Sequence, residues 1–209
     1  MIQRISDGMQ DRLSRAWVTA RPWSKESIEI RLRTQAEMLR EFVRPGETLL
    51  DIGCGLGFMS QNLHDMFGVA ATGMDIQDYR EAQIPFQEFD GITIPFPDKS
   101  FDHIMLSFTL HHSHDPKALI EECLRVVRRS IIFFEDIPHT WIGRKKVIWH
   151  VESFRKQFRI ELPRSDEYRN VLDWLGTKSI RVYKTRMPFE WFDLIYVPRY
   201  LLVYTLSQD

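Results

Sequence analysis

The clearest chemical signal in this chain is a glycine-rich turn that directly follows an apolar run. The segment "LLDIGCGLG" (residues 49–57) places Asp51 near the end of a strand and Gly53, Gly55 and Gly57 at alternate positions after it. Glycine permits positive φ and lets another backbone or a ligand come close, but it costs conformational entropy. Such a turn indicates a ligand site. Taken alone, it is equally consistent with a tight turn that binds nothing.

A second acid occupies the equivalent place after the next predicted strand. The segment "VAATGMD" ends on Asp75, 18 residues after Gly57. The carboxyl ends of parallel strands meet at one edge of a sheet, where a carboxylate can accept hydrogen bonds from both hydroxyls of a ribose. The G-x-G-x-x-G spacing of dinucleotide sites is absent, and Asp51 disfavours a pyrophosphate. The two acids therefore favour a nucleoside-containing cofactor that carries an ammonium or a sulfonium.

The elements that must position these residues alternate between strand and helix. Apolar periodicity and turn residues predict helices over 24–43, 56–67, 115–127, 139–160 and 165–175, and strands over 48–52, 69–75, 84–89, 101–108, 130–137, 178–187 and 199–206. This order predicts a doubly wound, mostly parallel seven-stranded sheet with helices on both faces and an antiparallel last strand. We expect one domain, with an N-terminal arm (1–23), a cofactor-binding core (24–137) and a substrate-side C-terminal part (138–209).

Composition restricts the class of partner and the compartment. Among 209 residues, 28 basic and 29 acidic residues give a net charge of −1, which provides no general attraction to nucleic acid. Two cysteines make no disulfide framework and suit a reducing cytosol. The N-terminus lacks the apolar region of a secretory signal, and no apolar stretch is long enough to span a bilayer. These features predict a cytoplasmic protein with no integral membrane segment and no nucleic-acid partner, and they leave the oligomeric state open.

Four segments in order carry a resemblance to a known family. "LLDIGCGLG", "GMD", "FDGITIPFPDKSFDHIMLSFTLHHSHDP" and "IIFFEDIP" resemble the class I S-adenosylmethionine-dependent methyltransferases, in particular the small-molecule branch related to ubiquinone and menaquinone biosynthesis. The resemblance runs from about residue 30 to about residue 137, and the last 70 residues carry no matching motif. It implies S-adenosylmethionine as cofactor and methyl transfer to a small-molecule or lipid-like acceptor.

The resemblance also assigns roles around the methionine and ribose parts of the cofactor. It implies that Gly53, Gly55 and Gly57 line the methionine moiety, with Asp51 near its amino group. It further implies that Asp75 binds the ribose.

At the adenine end, the resemblance implies that Ile76 lies against the ring and that Asp90 meets the exocyclic amine, with Gly91 and Ile92 beside it. Ser107 and the two residues after it would form the floor under the methyl sulfonium. Only 14 residues separate Asp75 from Asp90, which is too few for the second helix and third strand usual in the family. We therefore expect a shortened sheet edge at the adenine end.

The segment "HHSHD" contributes the candidate catalytic side chains. Imidazole titrates near neutrality, so His111 or His112 could act as a general base toward the acceptor, or could serve in packing or positioning. Because consecutive histidines in one loop seldom point the same way, no metal site is predicted. Glu135 and Asp136, at the end of the fifth long strand, either contact the acceptor or cap the next segment.

Other reaction classes are disfavoured by the residues after the fourth strand. The N/D-P-P-Y motif of enzymes that methylate amino groups of DNA bases or glutamine is replaced by "SFTLHH". Methylation at C5 of cytosine needs a cysteine nucleophile, and neither cysteine is suitably placed. Two alternatives stay open: a nicotinamide-dependent oxidoreductase, which shares the sheet and the ribose acid, and a catalytically inactive cofactor-binding partner protein.

Overall fold

The computed structural model describes residues 2–3, 25–136, 141, 145, 180–185 and 199–206, with side chains described within 32–135, at 141 and 145, and within 201–206. The strands are β1 (Ile2–Gln3), β2 (Thr48–Ile52), β3 (Ala70–Asp75), β4 (Phe86–Glu88), β5 (Phe101–Ser107), β6 (Val127–Asp136), β7 (Ile180–Thr185) and β8 (Arg199–Thr205). The helices are α1 (Lys25–Met38), α2 (Phe58–Phe67) and α3 (Pro116–Val126), with a 3-10 turn over Leu110–His112.

The eight strands within the described residues join one sheet in the order β1-β7-β8-β6-β5-β2-β3-β4. Strands β4, β3, β2, β5 and β6 run parallel, whereas β8 is antiparallel to both β6 and β7. The predicted doubly wound, mostly parallel sheet with an antiparallel last strand is confirmed. The predicted count of seven strands is not confirmed. An additional strand, β1, lies in the stretch expected to be an arm and pairs with β7. A strand of two residues is too short to show the alternation that reveals strands in a sequence.

The strands are buried on both faces because helices cover the sheet on both sides. Leu50 and Ile52 of β2 face α3, where they share a core with Leu119 and Cys123. Leu49 faces the other side and shares a core with residues from α1 and α2. This double burial explains why the central strands read as continuous apolar runs rather than alternating ones.

The helix boundaries follow from capping residues. Helix α3 begins after Asp115, whose carboxylate accepts a hydrogen bond from the Ala118 backbone N–H at 3.0 Å, and Pro116 occupies its first position. Helix α2 starts after Gly57 and ends at Gly68, which adopts the left-handed conformation of a C-cap. No helix in the described part of the chain combines the length and apolarity needed to cross a bilayer.

The crossover between β3 and β4, residues 76–85, contains no helix, in agreement with its short sequence. It lies directly against the glycine turn, because the Leu56 carbonyl accepts hydrogen bonds from the backbone N–H groups of Glu81 and Ala82 at 3.1 Å each. Arg80 fixes the crossover further by pairing with Asp78 at 2.7 Å. The sheet edge is therefore short, and the crossover forms part of the wall around the carboxyl ends of the strands.

The chain reverses its direction across the sheet between β2 and β5, which is where open α/β sheets bind ligands. The predicted final strand pair is observed as β7 and β8. The helices predicted over 139–160 and 165–175 lie outside the described residues, apart from positions 141 and 145, which are helical. The division into arm, core and substrate-side part stays a prediction.

Candidate functional site

A cleft of about 620 Å³ opens at the carboxyl edge of the sheet, at the switch point between β2 and β5. Its walls come from the glycine turn, the β3 end and its crossover, the loop after β4, and the β5 end with the turn that follows. The lining residues are Gly53, Gly55, Leu56, Asp75, Ile76, Tyr79, Phe89, Asp90, Gly91, Ser107, Phe108, Thr109, His112, Ser113, His114 and Leu119.

The structure brings most of the predicted site residues into this cleft. Those that line it are Gly53, Gly55, Asp75, Ile76, Asp90, Gly91, Ser107 and His112. Four predicted residues do not line the cleft, although each lies within two positions of a residue that does: Asp51, Gly57, Ile92 and His111.

The three glycines of the turn serve different purposes. A Cβ on Gly53 would lie 2.4 Å from the Thr109 side chain, and one on Gly57 would lie 3.2 Å from that of Ala82. Gly55 has φ +50°, and a Cβ there would meet no atom within 4 Å. Gly53 and Gly57 thus allow close packing within the protein, whereas Gly55 faces open space in the cleft. The middle glycine is the one placed to admit a ligand.

Asp75 joins the end of β3 to the glycine turn and lines the cleft. Its Oδ2 accepts a hydrogen bond from the Gly55 backbone N–H at 3.0 Å, and its Oδ1 accepts one from the Ile76 N–H at 2.8 Å. Burial raises the pKa of Asp75, and these two amides oppose the rise. Each carboxylate oxygen accepts more than one hydrogen bond, so Asp75 can still accept from hydroxyl groups in the cleft.

Asp51 lies beneath the turn, with its side chain 1% exposed. Its Oδ2 accepts a hydrogen bond from the Ser60 hydroxyl at 2.7 Å, which ties β2 to the first turn of α2. Burial raises the pKa of Asp51 to about 7, the Ser60 bond opposes this, and the charge of Asp75 adds to it. Asp51 therefore holds a proton that it can release near neutrality, directly behind the cleft wall.

The loop after β4 presents Asp90 at the opposite end of the cleft from β5. Asp90 Oδ1 accepts hydrogen bonds from the backbone N–H groups of Ile92 at 2.8 Å and Thr93 at 2.6 Å, and these bonds lower its pKa. Gly91 adopts φ +92° within this turn. Ile92 contributes its amide to the turn rather than its side chain to the cleft wall. A charged carboxylate is thus fixed where a donor on a ligand can reach it.

The floor of the cleft, residues 107–109 at the end of β5, has a strained backbone and is hydrogen-bonded to the neighbouring strands β2 and β6. Phe108 has φ +56°, an uncommon conformation for a residue other than glycine, and its N–H donates to the Phe134 carbonyl at 2.8 Å. The Thr109 hydroxyl donates to the Ile52 carbonyl at 3.0 Å. Strained residues that their surroundings hold in place are typical of functional sites.

The structure separates the two adjacent histidines. His111 is 7% exposed, and its Nδ1 lies 2.7 Å from Glu135 Oε2, while His112 lines the cleft. The two rings lie 4.1 Å apart between centroids. Glu135 is buried, and its Oε1 accepts a hydrogen bond from the Leu110 N–H at 2.9 Å, so it binds the turn after β5 and is not among the residues that line the cleft. The Asp136 side chain lies outside the described residues.

Neither cysteine is set up as a nucleophile. Burial raises the pKa of Cys54, and the charges of Asp51 and Asp75 add to the rise. Burial likewise raises the pKa of Cys123. Both thiols are protonated at neutral pH, which disfavours thiolate chemistry. Among the described residues, no three or more His, Cys, Asp or Glu side chains are grouped to hold a metal ion.

Sequence reasoning missed several residues of the cleft wall. Leu56 is one of them: it is a large apolar residue, 40% exposed like the predicted Ile76, and it lines the cleft. The position of Leu56 between two glycines of the turn is a signal that could have identified it. Tyr79 also lines the cleft, but it lies in a crossover without periodicity, where the sequence gives no sign of which side chain faces inward.

Comparisons with known proteins find similarity to methyltransferases. The family model described as "Methyltransferase domain" matches residues 50–134. The demethylmenaquinone methyltransferase of Oceanobacillus iheyensis is 27% identical over 133 residues, which cover 56% of this chain and 56% of that protein. The 2-methyl-6-phytyl-1,4-hydroquinone methyltransferase of Synechocystis is 32% identical over 94 residues, which cover 40% of this chain and 30% of that protein.

A crystal structure of an S-adenosylmethionine-dependent methyltransferase from Aquifex aeolicus has the same fold. It superposes with a TM-score of 0.55 at 17% identity and covers 94% of this chain and 98% of that chain. The alignments with curated relatives cover 22% to 56% of the length of those proteins.

Proposed function

Because the chain belongs to the class I S-adenosylmethionine-dependent methyltransferases, we propose that it transfers a methyl group from S-adenosylmethionine to a small-molecule or lipid-like acceptor. The observation that carries this proposal is the pairing of Gly55 and Asp75 at the switch point of the sheet. A glycine that faces open space is joined there to a carboxylate that can bind a ribose.

The residues of the cleft fit the cofactor from end to end. Gly55 leaves room for the methionine moiety, and Asp75 offers its oxygens to the ribose hydroxyls. Ile76 and Leu56 supply exposed apolar surface for the purine, and Asp90 supplies an acceptor for its exocyclic amine. Asp51, set behind the turn, favours a cationic ligand once it has released its proton.

The work of the protein in this reaction is mainly alignment. S-adenosylmethionine supplies an activated methyl group on a sulfonium, so the residues of the chain must orient the acceptor for in-line displacement and exclude water. The strained floor at Phe108 fixes one side of the reaction space. His112 faces the cleft and is the residue we assign as general base where the acceptor carries a proton to be removed.

The proposed acceptor class is based on two of the relatives and on the residues that line the cleft. The named relatives act on quinone- and hydroquinone-type compounds, and apolar residues such as Phe89, Phe108 and Leu119 line the cleft here. An aromatic acceptor with a hydroxyl group suits this lining and a histidine base. We further propose that the protein acts in the cytoplasm, because its two cysteines make no disulfide framework, and without a nucleic-acid partner, because its net charge is near zero.

Calorimetric titration with S-adenosylhomocysteine, S-adenosylmethionine and NAD tests the proposal. We expect binding of the first two and no binding of NAD, with matching increases in thermal stability. Binding of NAD alone would support the oxidoreductase alternative. Failure to bind any of the three would contradict the proposed function.

A further inference from the structure

We infer that Glu135 and His111 are positioning residues that hold His112 in the cleft. A buried carboxylate at the end of β6 would thereby set the orientation of the side chain that faces the transferred methyl group. The inference rests on the proposed function, because it gives a purpose to the residue assigned there as the base.

Glu135 binds the turn after β5 through both of its oxygens. Oε1 accepts a hydrogen bond from the Leu110 N–H at 2.9 Å, and Oε2 lies 2.7 Å from His111 Nδ1. Glu135 is 1% exposed and His111 is 7% exposed, so water competes little for either group. Hydrogen bonds of a carboxylate in such surroundings are strong and directional. One side chain therefore fixes both the backbone and a ring of this short turn.

This fixed geometry extends to His112. The His111 and His112 ring centroids are 4.1 Å apart at an interplanar angle of 48°. The backbone N–H of His112 donates to the Thr109 carbonyl at 2.9 Å, and the backbone N–H of Ser113 donates to the Leu110 carbonyl at 3.1 Å. Ring contact and backbone bonds leave His112 little freedom to turn away from the cleft as long as His111 stays in place.

The carboxylate also controls the protonation pattern of His111. Because Glu135 Oε1 accepts from the Leu110 N–H, Oε2 is left as the acceptor for a hydrogen on His111 Nδ1. A glutamine at position 135 could present its amide N–H to the same nitrogen and so reverse the donor. The Glu135→Gln substitution therefore keeps the size of the side chain and changes the tautomer that it selects.

The chain offers a control in a second His–carboxylate pair, whose carboxylate is partly buried. His103 Nε2 lies 2.8 Å from Glu47 Oε2 at the amino ends of the strands, remote from the cleft. Glu47→Gln makes the same chemical change at that end. If buried His–carboxylate pairs only stabilise this fold, the two substitutions should have the same consequences for the cleft.

The experiment compares wild type, Glu135→Gln and Glu47→Gln by thermal unfolding, by calorimetry with S-adenosylhomocysteine, and by NMR of the histidine ring Cε1–Hε1 signals. The His112 signal is assigned by its loss in His112→Gln. In wild type we expect this signal to shift when S-adenosylhomocysteine is added. Glu135→Gln should change both the free signal and its response, while the affinity for S-adenosylhomocysteine stays within about threefold. Glu47→Gln should leave the His112 signal unchanged.

A common response of His112 to both substitutions, or to neither, would overturn the inference. If Glu135→Gln fails to fold, Glu135→Asp keeps the charge on a shorter side chain and should give an intermediate His112 signal. A wild-type protein that does not bind S-adenosylhomocysteine would contradict the proposed function itself. A protein that binds it while His112 ignores Glu135 would contradict only the positioning role.

Discussion

The two ends of the same strands carry similar residues and use them differently. At the amino end, His103 is enclosed by Glu47 at 2.8 Å and by the Ser130 hydroxyl at 2.7 Å, so both of its ring nitrogens are occupied within the core. At the carboxyl end, His111 and Glu135 form a more deeply buried pair, and the neighbouring His112 lines a cleft. A buried His–carboxylate pair is therefore not in itself a sign of function.

The polar groups next to these pairs show the same contrast. At the amino end, Asp102 Oδ2 accepts hydrogen bonds from the backbone N–H of Thr48 at 2.9 Å and from its hydroxyl at 3.0 Å, and Arg128 binds the other oxygen at 3.1 Å. At the carboxyl end, Gly55 and Phe108 adopt positive φ around open space. Polar groups at the amino end are engaged with one another, while the carboxyl end leaves room that a ligand would fill. Substitutions at matched positions should affect stability at one end and binding at the other.

The largest effect is expected at the middle glycine. Gly55→Val should reduce the affinity for S-adenosylhomocysteine at least about 100-fold, because the new side chain enters the cleft at a positive φ. Gly46 provides the control at the amino end, since it has φ +81° and a Cβ there also meets no atom within 4 Å. Gly46→Ala and Gly55→Ala should each cost about 1 kcal/mol of the free energy of unfolding through backbone strain.

Only Gly55→Ala should also weaken binding, and calorimetry on both alanine variants checks this. Wild-type affinity in Gly55→Ala would show that close approach at this position is not required. The glycine turn would then be a turn and nothing more.

Asp51 and Asp102 should change the pH dependence of the free energy of unfolding in opposite directions. Burial holds the pKa of Asp51 at about 7 in the folded protein, against 3.8 as the ordinary value, so the folded state binds more protons between these values. Stability should therefore fall as pH rises from about 4 to about 7, by up to about 1.4 kcal/mol per pH unit. Asp51→Asn, which can still accept from Ser60, should remove this loss and be more stable than wild type at pH 8.

Asp102 supplies the contrasting case. Burial acts to raise the pKa of Asp102, but hydrogen bonds from Thr48 and the charge of Arg128 bring it below its ordinary value. Its stabilising contribution is present at neutral pH and is lost as pH falls through the folded pKa, so Asp102→Asn should destabilise the protein at pH 7. Urea unfolding between about pH 2.5 and pH 8 measures both variants. Parallel pH profiles for Asp51→Asn and wild type would show that Asp51 does not titrate in this range.

A smaller effect is expected from the acid at the end of β3. Asp75→Ala should weaken binding of S-adenosylhomocysteine by about 1.5–3 kcal/mol, the range for hydrogen bonds to a charged group. The fold should survive, because Asp75 lies at a strand end and bonds to the glycine turn rather than to the core. Calorimetry and thermal unfolding measure the two quantities. If Asp75→Ala unfolds most of the protein while the remaining folded fraction binds S-adenosylhomocysteine with wild-type affinity, Asp75 is a structural residue.

The sequence predicts the backbone of this site better than its side-chain partnerships. The glycine spacing and the acids at strand ends locate Gly55 and Asp75, because strand ends of a parallel sheet meet at one edge. The pairing of Glu135 with His111 could not be predicted, since 24 residues separate them and neighbouring strands β5 and β6 bring them together. Nor does "HH" reveal which ring faces the cleft, since a 3-10 turn directs successive side chains to different sides.

The smallest effect is expected for substitution of Leu56. This substitution tests whether the exposed apolar surface at the carboxyl end of the strands binds a ligand. Leu56 is 40% exposed, so its truncation removes little buried surface, and Leu56→Ala should change the free energy of unfolding by no more than about 0.5 kcal/mol. A bound purine would cover the side chain, so the same variant should lose about 1 kcal/mol of binding free energy for S-adenosylhomocysteine. Leu56→Met keeps the apolar area and should bind nearly as wild type. Should Leu56→Ala instead destabilise the fold and bind normally, Leu56 belongs to the packing of the crossover and the purine lies elsewhere in the cleft.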